Sequence, residues 1–124
     1  MRTAASPFPF AETVERLAGA VEQRAMTLFA IVDHAAGARR AGLEMNDATL
    51  LVFGSPRGGT PVMVAAPLAA LDLPLRALVW ADDAGAVWVS YQDIAEFGRR
   101  HAVPEHLLAP LAGVDGLVRA ALAP

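Results

Sequence analysis

The stretch Gly54-Ser55-Pro56-Arg57-Gly58-Gly59-Thr60-Pro61 has the residue types best suited to hold a ligand. It follows a short apolar run, Leu50 to Phe53. Its three glycines open backbone conformations closed to other residues. Thr60-Pro61 reads as a helix start, with threonine as N-cap and proline at the first helical position. A helix start leaves backbone N–H groups that attract anions. Arg57 adds a guanidinium able to grip a carboxylate or phosphate in a bidentate bond. The same glycines equally suit a tight strand-to-helix connection that binds nothing. A P-loop is excluded, because the chain has no lysine and lacks the required spacing. The dinucleotide-binding glycine pattern is also missing.

Two further positions join this loop as candidates. Asp33-His34 stands at a strand end, and histidine serves as acid, base or metal ligand. Asp33 would equally serve as the N-cap of a helix beginning at His34. Asp72, in Asp72-Leu73-Pro74-Leu75-Arg76, could bridge to Arg57 or Arg76 and close the loop on itself. The candidate ligand-binding set is therefore His34, Gly54, Ser55, Arg57, Gly59, Thr60 and Asp72, with His34 as the candidate catalytic residue. No nucleophile stands out: Pro56 follows Ser55 and removes an oxyanion-hole N–H there. With no cysteine in the chain, thiolate metal sites, disulfides and a cysteine nucleophile are ruled out. His101 and His106 lie outside any metal-binding spacing, so no metal and no cofactor are expected. Trp80 and Trp88 suit a cross-strand pair, with core packing favoured over a ligand platform.

These residues need a scaffold, and the composition supplies one. A chain of 124 residues, 55% hydrophobic and 19% charged, is enough for one domain with a real core. The net charge is −3, and no basic run exceeds two residues, which argues against nucleic acid as a partner. No apolar stretch reaches the ~20 residues of a membrane span, and the N-terminus lacks a signal-peptide core. A soluble cytoplasmic domain without a membrane partner is expected.

Hydrophobic periodicity places the elements. Residues 3 to 8 form a weak edge strand, and Ser6 or a neighbour caps a helix from about Ala11 to Arg24. Met26 to Asp33 reads as a strand, His34 to Arg40 as a short helix ended at Gly42, and Ala48 to Phe53 as a second strand. Pro61 to Leu71 is helical and broken near Pro67. Leu75 to Ala81 and Ala86 to Tyr91 form a hairpin across Asp82-Asp83-Ala84-Gly85. Asp93 caps a short helix running through Gly98. Glu105 to Leu122 is helical, interrupted near Gly113 to Gly116. This order suits a two-layer α+β domain, a mainly antiparallel sheet with helices on one face. A doubly wound parallel sheet is the rival, since the first half alternates strand and helix.

The motifs also resemble a known family. Asp33-His34-Ala35-Ala36, Leu50 to Pro56, Gly59 to Met63, Leu71 to Arg76, Val79-Trp80, Gly85, Val87-Trp88-Val89 and Ser90-Tyr91 occur in the order found in domain-of-unknown-function family 302, over about residues 8 to 122. The resemblance implies a compact bacterial or archaeal α+β domain, similar in layout to the TATA-box-binding-protein-like fold, without implying DNA binding. It also implies a shared pocket at His34, Gly54, Pro56, Gly59, Thr60 and Asp72. Ser55 stands where the family usually has asparagine, and Ala81 where it often has an acid. The expectation is a binding module for a small anionic or mixed polar–apolar ligand near the Gly54–Pro61 loop. The alternatives are an enzyme using His34 and a homodimer with no ligand.

Overall fold

The computed structural model describes residues 1–124. Five strands form one antiparallel sheet: β1 (Arg2–Ser6), β2 (Thr27–Asp33), β3 (Ala48–Gly54), β4 (Leu75–Ala81) and β5 (Val87–Tyr91), in the order β1-β5-β4-β3-β2. The helices are α1 (Phe10–Gln23), α2 (His34–Arg40), α3 (Pro56–Ala65), α4 (Ile94–His101) and α5 (Glu105–Leu122), with a 3-10 helix at Pro67–Asp72. The α+β expectation holds, and the parallel rival does not.

Period-two alternation separates the two faces of the sheet. Leu51, Phe53, Ala77, Val79 and Val89 are at most 1% exposed and lie under the helical layer. Their neighbours Leu50, Val52, Leu78, Trp80 and Trp88 are only half-buried, on the open face. The helical layer contributes Leu17 and Val21 of α1 with Leu117 and Val118 of α5 to the same core. Helix α5 runs without a break through Gly113 and Gly116, against the predicted interruption. Each helical glycine costs about 1 kcal/mol relative to alanine. The buried series Leu111, Val114, Leu117, Val118, Ala121 keeps helical spacing across both glycines, and its burial outweighs that cost.

The ends of helices show where local signals compete. Asp33 caps α2 through the N–H of Ala36 at 2.9 Å, and Asp93 caps α4 through those of Ala95 and Glu96. Ser6 does not cap α1. Its hydroxyl accepts the N–H of Phe8 at 3.2 Å and is hydrogen-bonded to the buried Thr13 hydroxyl at 2.7 Å. The N-cap position falls to Pro9.

The largest departure concerns α3. Two serine- or threonine-proline pairs stand in series, Ser55-Pro56 and Thr60-Pro61. The helix starts at the first, so Thr60 and Pro61 lie inside it rather than at its start. Ser55 is extended, and its hydroxyl accepts the Arg57 N–H at 3.3 Å. Pro56 holds the first helical position, where no N–H is needed. Thr60 therefore caps nothing. Ser55→Ala should cost about 0.5–1 kcal/mol, and Thr60→Ala should stay within about 0.5 kcal/mol, as read from urea unfolding midpoints. A larger loss at Thr60 than at Ser55 would place the helix start wrongly.

Candidate functional site

A β-bulge prepares the site. Leu28 opposes Phe53 and Ala30 opposes Val52, so Phe29 is the extra residue of β2. Bulges re-aim side chains. Phe29 comes to the β3–α3 junction, where a Cβ on Gly54 would sit 3.9 Å from its ring and 3.6 Å from Pro74. A second close approach brings α3 onto α5. A Cβ on Gly58 would lie 3.5 Å from both Leu111 and Pro110. Between these contacts is a pocket of about 330 Å³. Its apolar wall is Phe29, Met63, Leu73, Pro74, Leu75 and Leu111, and the loop contributes Gly54, Ser55, Pro56, Gly59 and Thr60.

Four residues of the sequence-derived set thus line one pocket: Gly54, Ser55, Gly59 and Thr60. The other three lie elsewhere. Arg57 is exposed and stands outside the pocket lining. His34 follows Asp33, which pairs with Thr49, whereas Gly54 pairs with Thr27 at the far end of the same two strands. That length of strand separates His34 from the loop by about 20 Å. A joint pocket rimmed by His34 and Arg57 is not formed.

The electrostatic expectation at the helix start also changes. Arg57 N–H donates to the Ser55 hydroxyl, and the N–H groups of Gly58 and Gly59 both donate to the Ser55 carbonyl at 3.0 Å. Pro56 has no N–H to offer. The first turn of α3 therefore has its donors engaged within the chain.

Asp72 belongs to a different cluster. Its Oδ2 lies 2.6 Å from His101 Nε2 and 3.3 Å from Arg100, and its Oδ1 lies 3.6 Å from Arg76. The bridge to Arg76 forms as expected, and none forms to Arg57. Gln92 completes the cluster: its Nε2 donates to the Asp72 carbonyl at 2.7 Å, and its Oε1 accepts the Arg76 N–H at 2.8 Å. These bonds tie the end of the 3-10 helix to β4, to the segment after β5 and to α4. Arg100 and Gln92 were not singled out in the sequence, and His101 was weighed only as a metal ligand. Arg99-Arg100-His101 was legible as a basic helix C-terminus, but nothing local names a carboxylate nearly thirty residues away.

Trp80 and Trp88 pair across the β4–β5 hairpin with ring centroids 6.2 Å apart and planes at 25°. They stand on the open face, which corrects the core-packing reading. Trp80 Nε1 donates to the Ser90 hydroxyl at 2.9 Å, and Trp88 Nε1 donates to Asp82 at 3.0 Å. No group of three His, Asp or Glu side chains converges to hold a metal ion.

The His101 hydrogen bond and the Arg100 guanidinium hold the Asp72 carboxyl below its ordinary value of 3.8, with desolvation opposing them. A carboxyl lowered in the folded state gives stability that is fully present above the unfolded value. That stability is lost as pH falls through the lowered folded value. Asp72→Asn should therefore lower stability near neutral pH and flatten the loss as the pH falls from about 5 to below 3.8. Thermal melts across that window check it. An acid limb as steep in the variant as in the parent would show that Asp72 does not contribute.

A crystal structure of an uncharacterized conserved protein DUF302 from Bacillus stearothermophilus superposes with a TM-score of 0.80, covering 98% of this chain and 94% of that one at 17% identity. At that identity the likeness shows the fold. Curated relatives from Brucella suis and Brucella abortus, each named fluoride-specific ion channel FluC 1, are 42% identical over 101 residues, or 82% of this chain. The match spans only 40% and 37% of those relatives. No helix of this chain is long and apolar enough to cross a membrane. The family model described as domain of unknown function DUF302 matches residues 2–121, and the chain belongs to that family.

Proposed function

We propose that this chain is a small-molecule binding module whose ligand is a neutral, mainly apolar molecule seated at the β3–α3 junction. One observation carries the reading: the bulged Phe29 meets Met63, Leu73 and Leu111 around the loop glycines and leaves a concave space of about 330 Å³. Ligand sites are typically concave and apolar, with a few polar groups for orientation, at about 300–1,000 Å³. The Ser55 and Thr60 hydroxyls supply the polar component. An anionic ligand is disfavoured, because Ser55 engages the first-turn donors. An enzymatic role for His34 has no partner group at the loop. Ion conduction, which the Brucella relatives' names denote, is not proposed for the segment they share with this chain.

The test uses neutral aromatic fragments and the melting temperature. A Cβ on Gly59 would make ordinary contacts with Met63 at 3.7 Å and Leu73 at 3.9 Å, so alanine fits there, and a longer side chain fills the pocket. Gly59→Ala should stabilise the free protein by about 0.5–1 kcal/mol through helix propensity. Gly59→Leu should abolish the ligand-induced rise in melting temperature. A fragment that stabilises parent and Gly59→Leu equally would move the site elsewhere, and no stabilising fragment at all would remove the reading.

A homodimer through β2 is favoured by a separate observation. Strand β2 is an edge strand, and Phe29, Ile31 and Val32 are 53%, 50% and 41% exposed on it. Its run from Thr27 to Val32 has no proline and no charge, the usual guards of an exposed edge. Light scattering should give a dimer at micromolar concentration and a monomer for Ile31→Lys. A monomeric parent chain contradicts it.

A further inference from the structure

The open face of the sheet has a second concavity, about 640 Å³, distinct from the loop pocket. Leu50, Leu78 and Trp80 line it, and Asp72, Arg76 and Arg100 stand at its rim. Trp80 is held on two sides: its ring stacks on Trp88, and its N–H is bound by Ser90. Ser90 is in turn fixed by the Thr3 hydroxyl at 2.8 Å. The apolar surface is thus ordered before anything binds.

The charges around this basin are unevenly satisfied. Glu96 takes the amino group of Met1 at 2.5 Å. Asp93 uses Oδ1 as the α4 cap and has Oδ2 3.8 Å from Arg2. At the other end one carboxylate, Asp72, faces two guanidiniums, each touching it through a single nitrogen. A guanidinium has five N–H donors, so most of those on Arg76 and Arg100 remain free. Both side chains are well exposed, at 43% and 62%. Counted locally, Asp72 leaves one guanidinium charge unmatched beside a preformed aromatic and aliphatic floor, while over the whole lining the Met1 amino group, Arg76 and Arg100 balance Asp72, Asp93 and Glu96. Gln92 pins the Asp72 carbonyl and the Arg76 backbone, which fixes where that charge stands.

We infer that this basin is a second ligand site, for an organic carboxylate with a flat apolar body. The body lies over Leu50, Leu78 and Trp80, and the carboxylate bridges Arg76 and Arg100. Two guanidiniums suit a planar carboxylate through paired N–H donors. This site is independent of the loop pocket and of the ligand proposed for it.

Naphthoate is the probe, and naphthamide is its uncharged counterpart. Each is titrated into the isotope-labelled full chain while the Trp80 indole N–H resonance is followed. Naphthoate should shift that resonance at concentrations up to about 5 mM and bind about tenfold more tightly than naphthamide. Arg76→Gln combined with Arg100→Gln should remove the difference between the two probes, and a melting curve checks that the double variant folds. The comparison of acid with amide on the parent chain stands even if it does not. Equal binding of acid and amide, or shifts confined to Phe29 and Thr60, would overturn the assignment. So would a Trp80 resonance that moves with protein concentration alone, since a second copy of the chain would then cover the face.

Discussion

A five-stranded sheet covered by helices on one side only is the constraint on which everything else here depends. Alternation forces half of each strand under the helices, and Leu51, Phe53, Val79 and Val89 disappear from solvent. The same alternation turns Leu50, Leu78, Trp80 and Trp88 to the open face, where Leu50, Leu78 and Trp80 share a concavity with Glu96, Phe97 and Arg100 of α4. A one-residue slip would exchange the two sets and expose the core. The junctions must therefore keep register, and the irregularities gather at them. The β2 bulge at Phe29 is one such irregularity, and the turn at Gly54 is another.

Chemistry follows from how these junctions are closed. At the β3–α3 turn, Ser55 uses both its hydroxyl and its carbonyl on the first helical N–H groups. A turn satisfied from within has little left for an anion, and its apolar surroundings set the character of the pocket. Just before β4, next to the pocket residues Leu73 and Pro74, Asp72 acts as the tie. It joins the 3-10 helix, β4 and α4 through His101, Arg100 and Arg76, leaving guanidinium donors directed at the open face. The two junctions differ in kind: one is apolar with its donors engaged, and the other is charged with donors remaining.

Much of this scaffold was legible in the sequence because its signals are local. Hairpin, strand periodicity and the Asp33 and Asp93 caps each depend on a few adjacent residues. The order of elements implied the two layers, and the family resemblance pointed to the same layout. What was not legible depends on competition or on distance. Ser55-Pro56 and Thr60-Pro61 carry the same signal, and only the folded chain decides between them. The continuity of α5 across Gly113 and Gly116 is imposed by packing against α1, α3 and α4. The separation of His34 from the loop follows from antiparallel pairing of β2 with β3, which spacing alone does not reveal. The Asp72–His101 contact joins residues far apart in the chain and leaves no trace in either segment. The bulge that brings Phe29 to the pocket is a register event of the same kind.

The central claim is that the glycine-rich loop forms an apolar pocket and is closed to anions. It is tested most directly by recording loop amide and methyl resonances in one sample as xenon and then sodium phosphate are added. Xenon enters apolar cavities and makes no hydrogen bonds. The account predicts shifts of the Leu73 and Leu111 methyls with xenon, and no movement of the Arg57, Gly58 and Gly59 amides with phosphate. Saturable phosphate shifts at those amides, with the methyls unmoved by xenon, would contradict it.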